Sequence, residues 1–249
     1  MGHSAGMPTP RIHVDHALAP GAEFALGERG ARHVQVLRLQ PGAALTLFDG
    51  RGGQWSAEVT RIGRRDVIVR AGTHAAVECE LACRVTIALG MPANERMDSL
   101  IEKATELGVD TIQPLVCQRS VLRVEGERGE RKAAHWRAVA AAACEQCGRN
   151  HLPTIAPPLA FVDWLSRLAL EPPQPRWLLS LAADARPLPA APSASRISVL
   201  SGPEGGFSDE EHAAAQRAGW LPVSLGARVL RADTAPLAAL AWIALSEAA

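Results

Sequence analysis

The chain has 249 residues, 47% hydrophobic and 21% charged, a length and balance that exclude a disordered tail, a short peptide or a repeat array and leave one large or two small globular domains. Lys and Arg number 26, as do Asp and Glu, so the whole-chain charge by itself argues against a polyanionic partner. Lys103 and Lys132 are the only lysines, which leaves 24 arginines, and the absence of tyrosine excludes a tyrosine nucleophile or phenol base. The arginine excess fits codon bias in a genome rich in G and C; it equally suits planar recognition of phosphates and nucleobase edges.

Cys79, Cys83, Cys117, Cys144 and Cys147 are an odd number in a chain too long to need staples, and no charged-then-apolar leader opens the sequence. Reduced thiols in a cytoplasm are expected. The apolar run from Ala235 to Leu245 spans eleven residues, short of the roughly 20 that cross a membrane. No membrane span is expected.

In chain order, Ala44 to Phe48 and Gln54 to Ile62 alternate apolar and polar around Asp49-Gly50-Arg51-Gly52-Gly53, which predicts a β-hairpin. Asp66 to Ala71 adds a strand, so Arg11 to about Val77 reads as a small all-β unit, most economically a closed or nearly closed barrel. Beyond Val77, strands alternate with helices. Arg84 to Met91 and Thr111 to Cys117 read as strands around an amphipathic helix from Arg96 to Leu107 that stops at Gly108. A charged stretch from Arg123 to Lys132 leads into a helix through Trp136 to Cys147; Leu152 to Ala156 is a short strand and Phe161 to Leu170 a helix. Trp177 to Leu181 is a strand, followed by a proline-rich loop from Arg186 to Ser193. Ile197 to Leu200 and Val223 to Leu225 are further strands. Ser208-Asp209-Glu210-Glu211 is a capping box, and Thr234-Ala235-Pro236 opens a terminal helix. Helices between strands imply crossover units and a mostly parallel sheet.

Ser201 to Ser208 passes from a strand end through Gly202, Gly205 and Gly206 to a helix start, a pattern that brings backbone against a ligand. It has neither the Gly-Lys-Ser/Thr of a phosphate loop nor a GxGxxG turn. Ser224 to Ala235 is a second loop between strand and helix. In an open α/β sheet two such loops converge on one crevice.

The run Gly202-Pro203-Glu204-Gly205-Gly206-Phe207-Ser208, the segment from Leu225-Gly226 to Thr234-Ala235, and Ile101-Glu102-Lys103-Ala104-Thr105-Glu106-Leu107-Gly108-Val109 together resemble the RsmE family. These are SPOUT-class methyltransferases acting on N3 of a uridine in small-subunit ribosomal RNA. Gln118-Arg119-Ser120-Val121, Glu145-Gln146-Cys147-Gly148-Arg149 with Pro153, Arg11, Arg32-His33-Val34, Val36-Leu37-Arg38 and Phe48-Asp49-Gly50 match as well, so the resemblance covers almost the full chain. It implies an α/β protein: a small PUA-like β-barrel domain for RNA binding over residues 1–76, then a SPOUT α/β domain over 77–249 with a C-terminal trefoil knot, in a homodimer. It also implies S-adenosyl-L-methionine held largely by backbone, at positions matching Leu181, Leu200, Gly202, Pro203, Glu204, Gly205, Gly206, Leu225, Gly226, Leu230, Arg231 and Thr234. RNA contacts are expected from Arg11, Arg29, Arg32, His33, Arg38, Arg119, Gln146 and Arg149, with 16S ribosomal RNA in an assembled or assembling small subunit as substrate.

A methyl sulfonium is already activated, so alignment and exclusion of water are the enzyme's task, and no metal is expected. The uracil N3 proton must leave, and guanidiniums beside the flanking carbonyls would stabilise the charge that develops; Arg11, Arg149 and Arg231 are the candidates. Glu145 stands either as proton acceptor or as orienter of an arginine, and Glu204 faces either the ligand ammonium or the partner subunit. Cys144-x-x-Cys147 reads as core or idle thiols, because Cys79 and Cys83 are poorly spaced to complete a zinc site. His33 reads as a half-exposed barrel histidine.

The balanced total conceals a gradient: residues 1–76 carry nine basic against six acidic groups, 77–160 ten against eleven, and 161–249 seven against nine. The excess on the first domain suits phosphate contacts from Arg29, Arg32, Arg38, Arg61, Arg64 and Arg65. Two departures from the family pattern are Pro92-Ala93-Asn94-Glu95-Arg96, where a lysine is usual after the proline, and His13, where an aromatic is common. The alternatives are a SPOUT enzyme with another target, a ribose 2′-hydroxyl or a transfer RNA, and a non-catalytic RNA-binding assembly factor.

Overall fold

The structure is a computed structural model describing residues 9–64, 66–124, 126–168, 172–189 and 194–247, without the side chain of residue 94. Arg65, Leu170 and positions 190–193 of the proline-rich loop lie outside the described residues. The chain divides into two compact units, Met1–Glu80 with Cys144–Leu152, and Leu81–Ala143 with Pro153–Ala249.

The first unit holds β1 (Arg11–His13), β2 (Glu23–Ala25), α1 (Glu28–Val36), β3 (Ala44–Phe48), β4 (Gln54–Ile62) and β5 (Val67–Ala75). Its sheet runs β1-β3-β4-β5-β2. The expected hairpin is β3 and β4, paired antiparallel from Ala44↔Glu58 to Leu47↔Trp55. Gly50, Gly52 and Gly53 take φ of 77°, 112° and 67° in the connection, which only glycine enters cheaply. Alternate residues of the strands, among them Leu45, Leu47, Val59, Val67 and Val69, fill the core with Ile12 and Val34.

The unit is not all-β as the sequence suggests. α1 packs against β1 because Gly30 lacks a Cβ, which would lie 2.9 Å from Ile12 Cγ2. His33 therefore sits on a helix rather than on a barrel strand. α1 ends with Arg38 at φ 53°, a conformation glycine normally supplies, where Leu39 N–H donates to Val34 O at 3.2 Å.

Cys144–Leu152 completes this unit through hydrogen bonds. Leu152 N–H donates to Gly50 O at 3.2 Å, and Asn150 Nδ2 donates to Val77 O at 2.6 Å. The Glu145 carboxylate accepts from His13 N–H at 2.9 Å and Arg29 at 2.6 Å. Arg149 is 3% exposed and grips both Glu80 oxygens, with Nε at 3.0 and 3.1 Å from them. Burial opposes its charge, but the hydrogen bonds and charge of Glu80 outweigh that and hold its pKa above the ordinary value.

The second unit contains β6 (Arg84–Gly90), α2 (Asn94–Glu106), β7 (Thr111–Val116), most of α3 (Gly126–Cys147), β8 (Thr154–Ile155), β9 (Leu159–Ala160), α4 (Phe161–Arg167), β10 (Arg176–Leu179), β11 (Arg186–Pro187), β12 (Arg196–Ser201), α5 (Asp209–Arg217), β13 (Leu221–Ser224) and α6 (Thr234–Glu247). From Gly126 onward, the charged stretch read as a lead-in to α3 forms its first turns instead. The sheet order is β11-β13-β10-β12-β6-β7-β8, with β9 also on β7, and every pairing is parallel. Both faces are covered, as parallel sheets require. On one face Ile87, Ile197 and Val199 pack with Met97, Leu100 and Ile101 of α2, Trp136 of α3 and Leu240 of α6. On the other, Ala88, Leu178 and Leu200 pack with Phe161 and Trp164 of α4 and Ala215 of α5.

Replacing Arg149 with Met strands the Glu80 carboxylate. Breaking a buried ion pair costs about 3–5 kcal/mol, and because the Glu80 side chain keeps 25% exposure we expect about 2 kcal/mol here. A lowered urea midpoint should report it, with Arg149→Lys in between; an unchanged midpoint contradicts the anchoring role.

Candidate functional site

A parallel sheet delivers every carboxyl end to one edge, and ligands bind in the crevice there when the connections divide between the two faces. β12 leads to α5, which packs on one face, and β13, on the far side of β10, leads to α6, which packs on the other. At that edge lies a cleft of about 810 Å³ lined by Leu179–Ala182 after β10, Ser201–Phe207 after β12, and Leu225 and Arg228–Ala232 after β13. Arg96 and the α5 residues Asp209, His212 and Gln216 contribute to its walls.

The Gly202–Gly206 loop is fixed from several sides. Pro203 lies on Gly90 so closely that a Cβ there would meet Pro203 Cδ at 2.4 Å and its nitrogen at 2.6 Å. Gly206, at φ 68°, donates its N–H to Pro203 O at 2.8 Å and closes the turn. The Arg119 guanidinium donates to Gly205 O at 3.3 Å and Phe207 O at 3.2 Å. Glu204 Oε1 accepts from Ala93 N–H at 3.1 Å and lies 3.7 Å from Arg96. The capping box forms as expected: Glu211 N–H donates to Ser208 Oγ at 3.2 Å, and Ser208 N–H donates to Glu211 Oε2 at 3.0 Å.

The facing walls are less constrained. Ser180 Oγ lies 3.0 Å from His212 Nε2 and accepts from Ala182 N–H at 3.1 Å. Arg231 O accepts from Thr234 and Ala235 N–H, both at 3.0 Å, which turns the last loop into α6. The Arg231 side chain is exposed.

Two family patterns match the chain: an RNA methyltransferase domain over residues 79–244 and an RNA methyltransferase PUA domain over residues 26–71. A ribosomal RNA small subunit methyltransferase E from Synechocystis is 35% identical over 219 residues, 84% of this chain and 68% of that one. The chain belongs to the ribosomal RNA small subunit methyltransferase E family. Its fold is accordingly a PUA-like first unit and a SPOUT α/β unit. The family's methyltransferase from Neisseria gonorrhoeae, bound to S-adenosyl methionine, aligns with a TM-score of 0.85 at 33% identity over 94% of this chain and 96% of its own. A methyltransferase from Legionella pneumophila in complex with bound cofactor SAM aligns with a TM-score of 0.88 at 32% identity over 95% of this chain and 97% of its own.

Of the family positions expected around a cofactor, Leu181, Gly202, Pro203, Glu204, Gly205, Gly206, Leu225, Leu230 and Arg231 line the cleft. Leu200 does not: it is fully buried in β12, on the face away from α6. Gly226, at φ 101°, and Thr234, the first residue of α6, shape the loop without lining the cleft. Glu204 lines the cleft and also accepts from Ala93 N–H at the start of α2.

The residues expected on RNA divide in the same way. Arg32, Arg38 and Gln146 are exposed. Arg29 pairs with Glu145, and His33 Nδ1 lies 3.9 Å from the same carboxylate. Glu145 thus holds Arg29 in an ion pair. Arg11 donates to Gln54, to Arg149 O at 3.2 Å and to Asn150 Oδ1 at 2.7 Å, and sits 4.9 Å from the Phe48 ring centre. Arg11 and Arg149 thus belong to the first unit, Arg231 to the second. All five thiols are free, and burial pushes the pKa of Cys117 and of Cys144 up to about 12, so neither is a ready nucleophile. Among the described residues no group of three His, Cys, Asp or Glu side chains is placed to hold a metal.

Gly90, Ser180, His212 and Gln216 escaped the sequence reading. Gly90 carried a signal, a glycine ending a buried strand just before Pro92; the others look like ordinary surface polar residues. Substituting Ala for Gly90 should displace Pro203 and with it the loop. We expect S-adenosylmethionine binding, measured by calorimetry, to weaken about tenfold or more, the order of one lost conformational preference of 1.4 kcal/mol. Wild-type affinity would show that the contact does not set the loop.

Proposed function

We propose that this chain methylates N3 of a uridine in 16S ribosomal RNA, with S-adenosylmethionine as methyl donor, as a cytoplasmic homodimer acting on the assembled or assembling small subunit. The observation that carries the reading is the 810 Å³ cleft at the carboxyl ends of β10, β12 and β13, in a family whose Neisseria member is bound to S-adenosyl methionine. The cleft fits such a ligand. Its volume is in the usual small-molecule range of about 300–1,000 Å³, Leu179, Leu181, Leu225 and Leu230 offer apolar surface to an adenine, and the Gly202–Gly206 turn offers backbone without side-chain bulk.

When bound, S-adenosylmethionine supplies a methyl group already activated on sulfur. The chain's part is to hold the uracil ring in line and dry, which lowers the barrier through proximity. As N3 loses its proton, charge spreads to the flanking carbonyls, and Arg231, whose side chain reaches the cleft, is the guanidinium we assign to that charge. Arg11 and Arg149 are engaged within the first unit, so their contribution is to shape that unit.

Exposed Arg32 and Arg38 on and beside α1 suit phosphate contacts. The homodimer is supported by α6, a helix with little polar face whose Trp242 and Leu245 remain 46% and 72% exposed, together with Val229 at 76%. Helices apolar all round are normally covered, and a second copy would cover this one. The C-terminal trefoil knot of the SPOUT class belongs to the same proposal.

Deletion of the gene should remove one N3-methyluridine from small-subunit RNA in mass spectrometry; an unchanged modification profile overturns the reading. Arg231→Ala should cost about 10²–10³ in methyl transfer, the scale of losing one donor to a developing anion, with the melting curve preserved. Arg32→Ala and Arg38→Ala should each weaken RNA binding and flatten its log–log salt slope by about one. Slopes equal to wild type would place the RNA elsewhere.

A further inference from the structure

Arg119 ends up doing something other than what its sequence context suggests. It sits in the loop after β7, whose shape is set by its neighbours: Ser120 Oγ accepts from Cys117 N–H at 3.0 Å, and Ser120 N–H returns a bond to Cys117 O at 3.1 Å. Gln118 N–H donates at 2.8 Å to Glu211 Oε1, on the carboxylate that also closes the capping box of α5. Arg123 fixes the far side by donating to Gln118 O at 2.8 Å. The backbone carrying Arg119 is thus tied to the helix that follows the glycine loop.

From that base the Arg119 guanidinium spans Gly205 O and Phe207 O, the two carbonyls flanking Gly206. Gly206 is the residue at positive φ, the hinge of the turn. Gly205 in turn packs on Arg119 itself; a Cβ on Gly205 would stand 3.0 Å from Arg119 Cβ and 3.4 Å from Arg119 O. Backbone carbonyls beside a left-handed glycine have little else to fix their direction, since glycine samples several conformations at similar energy. A fixed donor reaching both carbonyls at once selects one of them.

We infer that Arg119 is a positioning residue for the cofactor loop: it holds the Gly205–Phe207 backbone in its ligand-binding form and does not act as an RNA phosphate contact. The inference rests on the S-adenosylmethionine reading of the cleft. Its energetic consequence follows from population arithmetic: if the loop without its clamp spends about a tenth of its time in the competent form, the apparent dissociation constant rises about tenfold. The clamp acts before the methyl moves, so it alters cofactor affinity rather than the chemical step.

The test is calorimetric titration of S-adenosylmethionine without RNA into the unmodified protein, Arg119→Ala and Arg119→Lys, followed by steady-state methylation at varied cofactor and varied salt. Expected are about a tenfold weaker affinity and a matching rise in KM for S-adenosylmethionine in Arg119→Ala, with kcat at saturating cofactor close to wild type. Arg119→Lys, which keeps a cationic donor, should recover part of the affinity, and the salt slope of RNA binding should not change. If Arg119→Ala fails to fold, Arg119→Gln replaces it in the same comparison. Unaltered cofactor affinity in a variant whose RNA binding weakens, with a salt slope about one unit flatter, overturns the inference and restores Arg119 to the RNA surface. If the unmodified protein binds no S-adenosylmethionine, the cofactor reading fails and takes the inference with it; normal binding by both proteins defeats the inference alone.

Discussion

Pro203 rests on the backbone of Gly90, and the rest of the cleft depends on that contact. The strands β6 and β12 run in parallel register up to Leu89 opposite Ser201, so the next residues of each must pass the other with no ladder bond to space them. A side chain at residue 90 would occupy the place of the proline ring. With the ring seated, Pro203 O receives Gly206 N–H, Phe207 reaches Phe161 at 5.4 Å between ring centres, and Ser208 arrives where it can cap α5. Each of these is local, yet all inherit their position from one close approach at the sheet edge. Close packing transmits such a constraint because interiors have few voids to absorb a shift.

How much of this was legible in the sequence follows from whether the cause is local. The β3–β4 hairpin and the capping box of α5 were readable because a few adjacent residues determine each: glycines that accept positive φ, or a serine three residues before a glutamate. The convergence of the loops after β12 and β13 was readable too, because parallel topology fixes where strand ends go. α1 was missed because it has only nine residues, follows Gly27 as its cap and includes Gly30, so it lacks the long periodic signal that identifies helices. Leu200 was placed at the cofactor by its motif position, whereas strand alternation turns it into the core on the α4 and α5 side. Arg149, expected at the reacting base and on RNA, and Arg119, expected on RNA, were placed by their match to family motifs, and nothing local in the sequence reveals that Glu80 and two loop carbonyls engage them.

What surrounds each arginine, and not how many there are, sets what it does. Arg149 is buried and bidentate on Glu80, a geometry that suits the planar fork and is poorly reproduced by lysine. Arg61 and Arg70 make exposed pairs with Asp66 and Glu23, at 2.8 and 3.1 Å, which add little to stability. Arg32 and Arg38 stand exposed near the end of α1, and Arg38 holds a left-handed backbone that costs a non-glycine residue about 1 kcal/mol or more. The chain's formal neutrality is thus compatible with a basic surface, because Arg32 and Arg38 stand exposed while Arg149 is consumed inside the first unit.

Glu204 links the glycine loop to a helix that lacks its own cap. The N-cap residue of α2 is Ala93, which has no side-chain acceptor, so the first N–H groups of that helix would be left to water. Glu204 brings a carboxylate to Ala93 N–H, close also to Arg96, and negative charge at a helix N-terminus gains from the dipole by roughly 0.3–1 kcal/mol. The arrangement serves both partners: the helix start is satisfied only when the loop is in place, and the loop is held by an element anchored through Met97, Leu100 and Ile101 in the core. Three anchors from β6, the β7 loop and α2 therefore fix the β12 side of the cleft. The β13 side, with exposed Val229 and Arg231, has a different job. In the proposed reaction the cofactor needs a fixed seat while the nucleotide must enter and leave, and the anchored and exposed walls of the cleft divide those two demands between them.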